Sequence, residues 1–262
     1  MNLKDKVVVV TGAGRGLGRH VALRLAALGA DVALIARSTA QLDDTAAVIA
    51  GMGRRAAALP FDLSQEQSPD VIRAAVEGAL GRPAVLVNAA GIFGPLALVQ
   101  DGNPAAWIQS MTVNMLSHYV TCRAFAGGMV EAGWGRIVNV SSAAALLTPG
   151  PADSAYATSK AALNHFTRHL AAELAGTGVT ANVIHPGDVK TDMWADIRME
   201  ADRLDDKGAV YRGWAEWVGS TGGDDPNKAT DLIARLMDRE ADAINGRFLW
   251  IENGLREPIA SW

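Results

Sequence analysis

The sequence predicts a single α/β domain with a doubly wound parallel sheet of about seven strands and helices on both faces. Strand-like and helix-like blocks alternate along the 262 residues. The strand blocks are continuous apolar runs, such as the four valines at 7–10, which is typical of strands buried on both faces. No linker rich in proline, serine or charge interrupts the alternation. We therefore expect residues 1–262 to form one domain, with right-handed crossovers between successive parallel strands.

The predicted elements follow one another closely as far as residue 191. Strands are predicted at 7–10, 31–36, 56–61, 84–87, 135–140, 179–184 and 247–251. Helices are predicted from a glycine-rich loop to Leu28, at 41–50, 70–80 and 107–129, from Tyr156 to near Ala175, and at 227–238. Between residues 191 and 225 the alternation lapses, and tryptophans concentrate among charges. We interpret this segment as a small helical lid over a substrate pocket, with plain packing of its aromatic residues as the alternative.

Composition and charge exclude several classes of partner. The formal net charge of -4 and a pI near 5.7 give no electrostatic footprint for nucleic acid. Cys122 is the single cysteine, so neither an internal disulfide nor a cysteine-based zinc site is predicted, and no metal is expected. No apolar run approaches the roughly 18 residues of a membrane-spanning helix, and the N-terminus lacks the pattern of a secretory signal. The expectation is a cytoplasmic protein that does not bind membranes.

A glycine-rich loop follows the first predicted strand. The run Thr11-Gly12-Ala13-Gly14-Arg15-Gly16-Leu17-Gly18 precedes an apolar helical pattern that stops at Gly29. Glycines in this position permit a tight turn and a close approach of the backbone to a ligand, and the helix N-terminus then faces a pyrophosphate. The order strand, loop, helix, strand predicts a dinucleotide-binding site.

The end of the second strand indicates which dinucleotide binds. An acidic side chain there would accept hydrogen bonds from the adenosine ribose and repel a 2′-phosphate. The sequence instead has Ala36, followed by Arg37 and Ser38, and Arg15 of the glycine loop faces the same corner. Guanidinium groups can bind a phosphate bidentately. We therefore predict NADP(H) in preference to NAD(H); Asp31 begins the strand and does not oppose this.

Tyr156 and Lys160 are four residues apart in a predicted helix. This spacing places both side chains on one face, with about 5–6 Å between their Cβ atoms. An ammonium group there stabilises a phenolate, so we expect Lys160, together with a cationic cofactor ring, to lower the pKa of Tyr156 from about 10. The same spacing also occurs by chance, where a tyrosine packs on the stem of a lysine.

Several motifs, in this order, resemble the classical short-chain dehydrogenase/reductase (SDR) family, and the likeness covers essentially the whole chain. They are the glycine loop at 11–18, Asp62, Asn88-Ala89-Ala90-Gly91, Asn114, Ser142, Tyr156-Ala157-Thr158-Ser159-Lys160 and Pro186-Gly187. The resemblance implies a Rossmann-type fold. It also implies hydride transfer between a nicotinamide cofactor and a ketone or secondary alcohol.

The resemblance further implies a set of cofactor-binding residues. Asp62 and Leu63 would flank the adenine, and Pro186, Gly187, Val189 and Thr191 would hold the nicotinamide amide and the phosphates. The full expected set is Gly12, Gly14, Arg15, Gly16, Leu17, Gly18, Arg37, Ser38, Asp62, Leu63, Asn88, Ala89, Ala90, Gly91, Tyr156, Lys160, Pro186, Gly187, Val189 and Thr191. Within it, Asn88–Gly91 would support the central sheet and the cofactor, and Lys160 would bond the nicotinamide ribose.

The family's catalytic roles fall, by resemblance, on Asn114, Ser142, Tyr156 and Lys160. Tyr156 would protonate the nascent alkoxide, or act as the base in the reverse direction. Lys160 would lower the pKa of Tyr156. Ser142 would polarise the substrate carbonyl, and Asn114 would position a water that links Lys160 to solvent. The chemistry agrees, because hydride transfer to a carbonyl builds charge on oxygen that two hydroxyl groups can stabilise.

The chain departs from the family pattern beside the serine. Ala143-Ala144-Ala145-Leu146 stands where many members have a glycine, and the segment from Ser142 to Tyr156 is slightly longer than is common. Ser141 is the alternative serine, for which we expect a structural role at the strand end. His118 and His185 lie near the motifs and are also expected to be structural.

The predicted substrate is a free hydrophobic ketone or alcohol, cyclic and aromatic compounds included. The alternative is a 3-oxoacyl-[acyl-carrier-protein] or acyl-CoA reductase. An acidic carrier protein needs a basic landing surface, whereas the ends of the two long helices are Glu131-Ala132 and Gly176-Thr177. Two remoter alternatives are a non-catalytic dinucleotide sensor, which would tend to lose Tyr156 or Lys160, and an extended-branch epimerase or dehydratase, which needs a longer chain.

The helices at 107–129 and 155–175 carry more apolar surface than one subunit can cover. We therefore expect a homotetramer or homodimer. The tail at 252–262 is expected to dock on a neighbouring subunit.

Overall fold

The computed structural model describes residues 3–256, which build a seven-stranded sheet. Its strands are β1 Val7–Thr11, β2 Asp31–Ala36, β3 Ala56–Pro60, β4 Pro83–Asn88, β5 Gly135–Val140, β6 Val179–His185 and β7 Phe248–Trp250. The strand order is β3-β2-β1-β4-β5-β6-β7, and each neighbouring pair is parallel. The predicted doubly wound parallel sheet is confirmed.

The first strand shows why these residues form the centre of the sheet. Val8, Val9 and Val10 are fully buried, and β-branched side chains fit a pleated surface that is covered on both faces. β1 pairs with β2 on one side and with β4 on the other. The order of the strands reverses between β1 and β4, which opens a crevice at their carboxyl ends.

The helices lie in two layers. They are α1 Gly16–Ala27, α2 Thr39–Gly51, α3 Pro69–Leu80, α4 Pro104–Met111, α5 Ser117–Glu131, α6 Ser154–Glu173, α7 Asp192–Ala201, α8 Ala209–Thr221 and α9 Pro226–Leu236. α1, α2 and α9 pack on one face of the sheet through residues such as Leu25 and Ile233, and α3, α5 and α6 on the other through residues such as Phe125.

The helix predicted at 107–129 is interrupted, so that prediction is wrong in detail. A π-helical turn, Thr112–Leu116, joins α4 to α5. The Ser117 N–H donates to the Thr112 carbonyl, and the Ser117 hydroxyl donates to the Val113 carbonyl at 2.6 Å. Such turns often occur at functional sites, and this one carries Asn114. An apolar periodicity does not distinguish one π-helical turn from α-helix, which explains the difference.

The 191–225 segment folds as α7, a 3₁₀ turn at Asp205–Gly208 and α8. The indole N–H of Trp194 donates to the Ala215 carbonyl at 2.9 Å, which ties α7 to α8. The Tyr211 hydroxyl on α8 donates to the Pro151 carbonyl at 2.6 Å. The segment therefore rests against the loop that precedes Tyr156.

Two further expectations concern membrane-spanning helices and the C-terminal tail. Within residues 3–256, none of the helices is both long enough and apolar enough to span a bilayer. The tail expected to dock on a neighbouring subunit lies partly outside the described residues, because the description ends at residue 256.

Candidate active site

The expected site residues follow the carboxyl ends of neighbouring strands, which meet at one edge of the sheet. Doubly wound sheets bind their ligands at this edge, where the strand order reverses. The glycine loop follows β1, Arg37 and Ser38 follow β2, Asp62 and Leu63 follow β3, Ala89–Gly91 follow β4, Ser142 follows β5, and Pro186 follows β6. The fold therefore brings the predicted residues together.

The backbone of the glycine loop leaves no room for side chains at two positions. A Cβ on Gly12 would lie 2.9 Å from the Cα of Ala90, and one on Gly18 would lie 2.3 Å from the carbonyl oxygen of Gly12. Gly12 and Gly16 also have φ angles of +67° and +54°, in the region that favours glycine. Because α1 starts at Gly16, its first N–H groups open onto this loop and can bind an anion.

Thr11 ties the glycine loop to the segment after β4. Its hydroxyl accepts hydrogen bonds from the N–H groups of Ala89 and Ala90, both at 3.1 Å. Asn88 is fully buried, and its side-chain amide donates to Asn139 on β5 at 2.9 Å and accepts from Thr121 on α5 at 2.8 Å. Asn88 therefore supports the central sheet, and both ends of its side-chain amide are hydrogen-bonded within the protein.

The two arginines expected to hold the adenosine end of the cofactor are both on the surface, and the structure turns Arg15 toward α7. Arg37 is exposed beyond β2. A hydrogen bond from the Ser64 hydroxyl, with a smaller contribution from the charge of Arg37, lowers the pKa of Asp62. Arg15 forms an ion pair with Asp192 of α7 at 2.8 Å, and both side chains are more than half exposed. An exposed pair contributes at most about 1 kcal/mol, so Arg15 can turn to a phosphate at small cost.

The segment after β6 lies over the glycine loop. The methyl group of Thr191 is 3.6 Å from the place that a Cβ on Gly16 would occupy. Val189 forms an antiparallel bridge with Gly223, which fixes the segment to the end of α8. The two segments expected to hold the cofactor phosphates, the glycine loop and the segment after β6, therefore lie next to each other.

Tyr156 and Lys160 lie on the buried face of α6, and they are 9% and 4% exposed. The Lys160 Nζ lies 5.7 Å from the centroid of the Tyr156 ring and donates to the Val140 carbonyl at 2.9 Å. A side-chain hydrogen bond links Ser142 to the phenol and acts to lower its pKa. The crevice therefore presents two hydroxyl groups and an amine at one point, which suits a polarised carbonyl oxygen.

The lowering of the Tyr156 pKa that we expected from Lys160 is not found. Burial, together with the negative charges of Asp153 and Asp188, raises the pKa of Tyr156 to about 12. Burial also lowers the pKa of Lys160 to about 7. Removal from water disfavours the charged form of both groups, and Lys160 points to a backbone carbonyl rather than to the phenol. The protein's own groups therefore keep the phenol protonated, ready to act as an acid.

Asn114 is fully buried in the π-helical turn, and protein partners occupy its side chain. Its Oδ1 accepts from the Ile92 N–H, and its Nδ2 donates to the Ile92 carbonyl and to the Ser159 hydroxyl, all at 2.9 Å. A Cβ on Gly91 would lie 3.4 Å from Asn114 Oδ1 and 3.6 Å from Lys160 Nζ. The Asn114 amide therefore fixes the loop after β4 against α6, next to Lys160.

The sequence motifs did not identify a group of aromatic and acidic side chains around Tyr156. Phe93 packs on Tyr156 with 4.8 Å between ring centroids and meets Tyr211 at 6.3 Å. Asp153 and Asp188 act on the phenol through their charges. These residues come from separate loops and from α8, so only the fold brings them together. The one sequence signal for this group was the concentration of aromatic residues at 191–225, and of the four side chains it includes only Tyr211.

The two histidines near the motifs have structural contacts, as expected. His118 is fully buried with its Nδ1 3.2 Å from the Ser117 hydroxyl, and burial lowers its pKa well below the usual value. His185 accepts a hydrogen bond from the Ala143 N–H at 3.2 Å and packs on Trp250, and burial lowers its pKa to about 4. Both rings are therefore neutral under ordinary conditions.

A cavity of about 320 Å³ lies between the loop after β4 and α7. Its lining includes Phe93 and Gly94 on one side and Asp196, Met199 and Glu200 on the other. Because Phe93 also packs on Tyr156, the cavity lies close to the Tyr156 ring, and its volume suits a small molecule. Residues 3–256 contain no group of three or more His, Cys, Asp or Glu side chains placed to hold a metal ion.

A doubly wound sheet with a glycine loop at its switch point, and a buried Tyr-Lys pair beside it, defines a dinucleotide-dependent oxidoreductase. The family profile described as short chain dehydrogenase matches residues 6–202. The chain therefore belongs to the short chain dehydrogenase family, whose members are oxidoreductases that act on alcohols and ketones with a nicotinamide dinucleotide.

Relatives and solved structures show how varied the family is. The 3-oxoacyl-[acyl-carrier-protein] reductase FabG of Pseudomonas aeruginosa is 35% identical over 197 residues, which are 75% of this chain and 79% of that protein. NAD⁺-bound xylitol dehydrogenase superposes with a TM-score of 0.85 at 28% identity, covering 96% of this chain and 99% of that one. A variant of actinorhodin polyketide ketoreductase with NADPH gives 0.84 at 29% identity, covering 95% and 97%. These proteins differ in cofactor and substrate, so neither follows from the likeness.

Proposed function

We propose that the protein is an NADP(H)-dependent oxidoreductase that interconverts a free ketone and a secondary alcohol, with Tyr156 as the general acid or base. The observation that carries the proposal is a lysine only 4% exposed, with its pKa lowered to about 7, held beside a buried tyrosine and Ser142. A plain packing role does not need a buried amine, because burying a lysine costs several kcal/mol. Strongly perturbed groups in a cleft mark functional sites.

Each side chain has one task in the proposed reaction. Ser142 and the Tyr156 phenol donate hydrogen bonds to the carbonyl oxygen, and the phenolic proton moves to that oxygen as negative charge builds there. Protonated Lys160 stabilises the phenolate that remains. The nicotinamide supplies the hydride in reduction and accepts it in oxidation. In oxidation Tyr156 takes the proton from the alcohol instead.

The residues at the crevice fit a dinucleotide with a 2′-phosphate. Gly12 and Gly18 let the loop pack closely on Ala90 and on itself, and the N-terminus of α1 that follows can hold the diphosphate. β2 ends at Ala36, so it places no carboxylate against the adenosine ribose. Arg37, exposed after β2, would hold the 2′-phosphate, and the exposed Arg15 would join it by leaving its ion pair with Asp192.

The cofactor preference can be measured directly. We expect kcat/KM for NADPH to exceed that for NADH by about tenfold or more, and Arg37→Ala to remove most of this ratio, since each lost phosphate contact is worth about 1–3 kcal/mol. Arg73→Ala is the matched control, because Arg73 is a surface arginine on α3 paired with Asp70. A preference of about tenfold for NADH would contradict the assignment.

The proposed substrate is a small free ketone enclosed by a lid. α7 and α8 cover the crevice, Met199 and Phe93 line the cavity of about 320 Å³, and Tyr211 joins α8 to the loop before Tyr156. Asp196 and Glu200 place negative charge on the lid side of the cavity. Negative charge at the entrance disfavours an acidic carrier protein or a phosphate-bearing thioester.

One observation favours a second candidate, a 3-oxoacyl thioester reductase. It is the 35% identity to the carrier-protein reductase of Pseudomonas aeruginosa. Acetoacetyl-CoA distinguishes the two candidates when its turnover is compared with that of free cyclic and aromatic ketones. A higher kcat/KM for the thioester would replace the free-ketone proposal.

The whole proposal is tested by following NADPH at about 340 nm with a panel of ketones, and NADP⁺ with the matching alcohols. We expect turnover with at least one free ketone. Tight NADPH binding without turnover of any panel member, thioester included, would instead indicate a non-catalytic dinucleotide sensor.

A further inference from the structure

Two exposed histidines lie side by side on α6. His165 and His169 are one helical turn apart, and both residues are exposed. Their Nε2 atoms are 3.2 Å apart, and the rings meet edge to face at 81°, with 4.8 Å between the ring centroids. Neither residue belongs to the catalytic or cofactor-binding set. The two nitrogens therefore converge at the surface, where a ligand from solvent can reach both of them.

The distance between the two nitrogens fits one metal ion. Zinc binds imidazole nitrogens at about 2.0–2.1 Å, and two such nitrogens at the tetrahedral angle lie about 3.3 Å apart. The observed separation is 3.2 Å. A spacing of four residues on a helix is also the spacing at which two histidines bind a single zinc ion in metalloprotease helices. Imidazole suits Zn²⁺, Cu²⁺ and Ni²⁺, whereas Mg²⁺ prefers oxygen ligands.

A hydrogen bond between the two rings is the alternative explanation of this contact. It needs one ring to carry a proton on Nε2 and the other ring to have none there. Exposed imidazoles can form the same bonds with water, so a mutual hydrogen bond adds little to stability. A metal ion instead uses the unprotonated Nε2 of both rings at once. The two explanations differ in a measurable way, because only the second makes the stability of the protein depend on added metal.

The histidine pair lies on the side of α6 opposite the catalytic residues. At about 100° per residue, His165 is about 180° around the helix from Tyr156, which agrees with the burial of Tyr156 and the exposure of His165. Glu173, also exposed, is one turn beyond His169 on the same side, so its carboxylate places negative charge near a bound cation. Arg168 carries the opposite charge but lies about 100° around the helix from His169. An ion bound here is therefore away from the reacting groups.

We propose that His165 and His169 form a site for one divalent transition-metal ion, Zn²⁺, Ni²⁺ or Cu²⁺, with water in the remaining coordination positions. The site is separate from the proposed reaction and does not depend on it. Residues 3–256 place no third His, Cys, Asp or Glu side chain to complete a group of three, so the protein holds the ion through two ligands. The ion links two successive turns of α6, the helix that carries Tyr156 and Lys160, and stabilises its C-terminal half.

Calorimetric titration of the full chain, without a histidine tag, with ZnCl₂ and with NiCl₂ tests the site. We expect one ion per chain. His165→Ala and His169→Ala should each weaken binding by about tenfold or more, because a single imidazole loses the gain from two linked ligands. His20→Ala is the matched control and should leave binding unchanged. His20 is an exposed histidine on α1, and Gly16 and Arg24, one turn away on either side, supply no second imidazole.

Thermal unfolding measures whether the ion stabilises the fold. At a Zn²⁺ concentration about ten times the Kd, the melting temperature of the wild type should rise by about 3 °C or more. Neither His165→Ala nor His169→Ala should show this rise, and MgCl₂ should have no effect on any of the proteins. Each protein is compared with itself, with and without metal, so any change in intrinsic stability caused by the alanine cancels.

The EPR spectrum of added Cu²⁺ identifies the ligands directly. We expect two nitrogen ligands in the wild type and fewer in each single variant. Equal affinity for Zn²⁺ and Ni²⁺ in the wild type and both single variants would overturn the inference, as would a melting temperature that does not respond to Zn²⁺. None of these measurements involves turnover of a ketone. Failure of the proposed function would therefore leave this test unaffected, and failure of the metal site would leave the proposed function intact.

Discussion

Replacing Asp153 by asparagine should stabilise the folded protein relative to the wild type. The gain in unfolding free energy should grow as the pH rises from about 4 to about 7 and then level off. Burial raises the pKa of Asp153 from 3.8 to about 7. Between these values the folded protein holds a proton that the unfolded chain has released, so wild-type stability falls as the pH rises. One pH unit inside the window is worth about 1.4 kcal/mol. From about pH 5 to about pH 8 the wild type should therefore lose about 2.6 kcal/mol relative to the variant, because the loss levels off as the folded protein also releases the proton near pH 7.

The assay is urea unfolding of both proteins at one protein concentration, at about pH 5 and about pH 8, with the free energy taken from midpoint and slope. Any constant effect of the asparagine amide cancels in the difference between the two pH values. Tyr156, Tyr211 and Asp188, the titratable groups near Asp153, are present in both proteins. The exposed Asp44→Asn on α2 is the control and should show no such trend. A difference between Asp153→Asn and wild type that does not change with pH would refute the burial of this carboxylate.

The remaining predictions concern the glycine loop and the assembly. Gly18→Ala places a Cβ 2.3 Å from the Gly12 carbonyl oxygen, so it should weaken NADPH binding by about tenfold or more and lower the melting temperature. The matched control Gly78→Ala on α3 meets nothing within 4 Å and should stabilise the protein by about 0.5–1 kcal/mol, because glycine is a poor helix former. Light scattering should report a dimer or tetramer, and Ile108→Glu, at a residue 60% exposed on α4, should shift it toward the monomer. A monomeric wild type would contradict the last prediction.

The sheet could be predicted from sequence because each strand carries its own signal. β2 and β5 have the predicted ends, and the others differ by one or two residues, where strands fray into loops. The helix predicted at 107–129 shows what the apolar pattern cannot predict. The apolar pattern runs through α4 and α5 without a break, and the π-helical turn is set by how Ser117 and Asn114 bond to their neighbours.

The candidate site also has a part that could be predicted from the sequence and a part that could not. Tyr156, Lys160, Ser142 and the glycines lie in short local motifs, so their approach to one another follows from the strand order. Phe93, Tyr211 and Asp153 belong to no motif, and their meeting depends on how α8 packs on the loop before α6. In the protein alone, the pKa of Tyr156 shifts opposite to the expected direction for a related reason. Helical spacing gives the distance to Lys160, but burial, which dominates the pKa, is a property of the whole fold.

The central claim, that Tyr156 transfers the proton, is tested most directly by Tyr156→Phe. Phenylalanine keeps the ring that packs on Phe93 at 4.8 Å and removes only the hydroxyl group. We expect kcat/KM for ketone reduction to fall by about 10²–10⁴-fold, as for loss of a general acid, while the Kd for NADPH changes by less than about threefold. Tyr119→Phe, at a half-exposed tyrosine that packs on Phe166, is the control and should keep full activity. A Tyr156→Phe enzyme that keeps most of its wild-type activity would contradict the account.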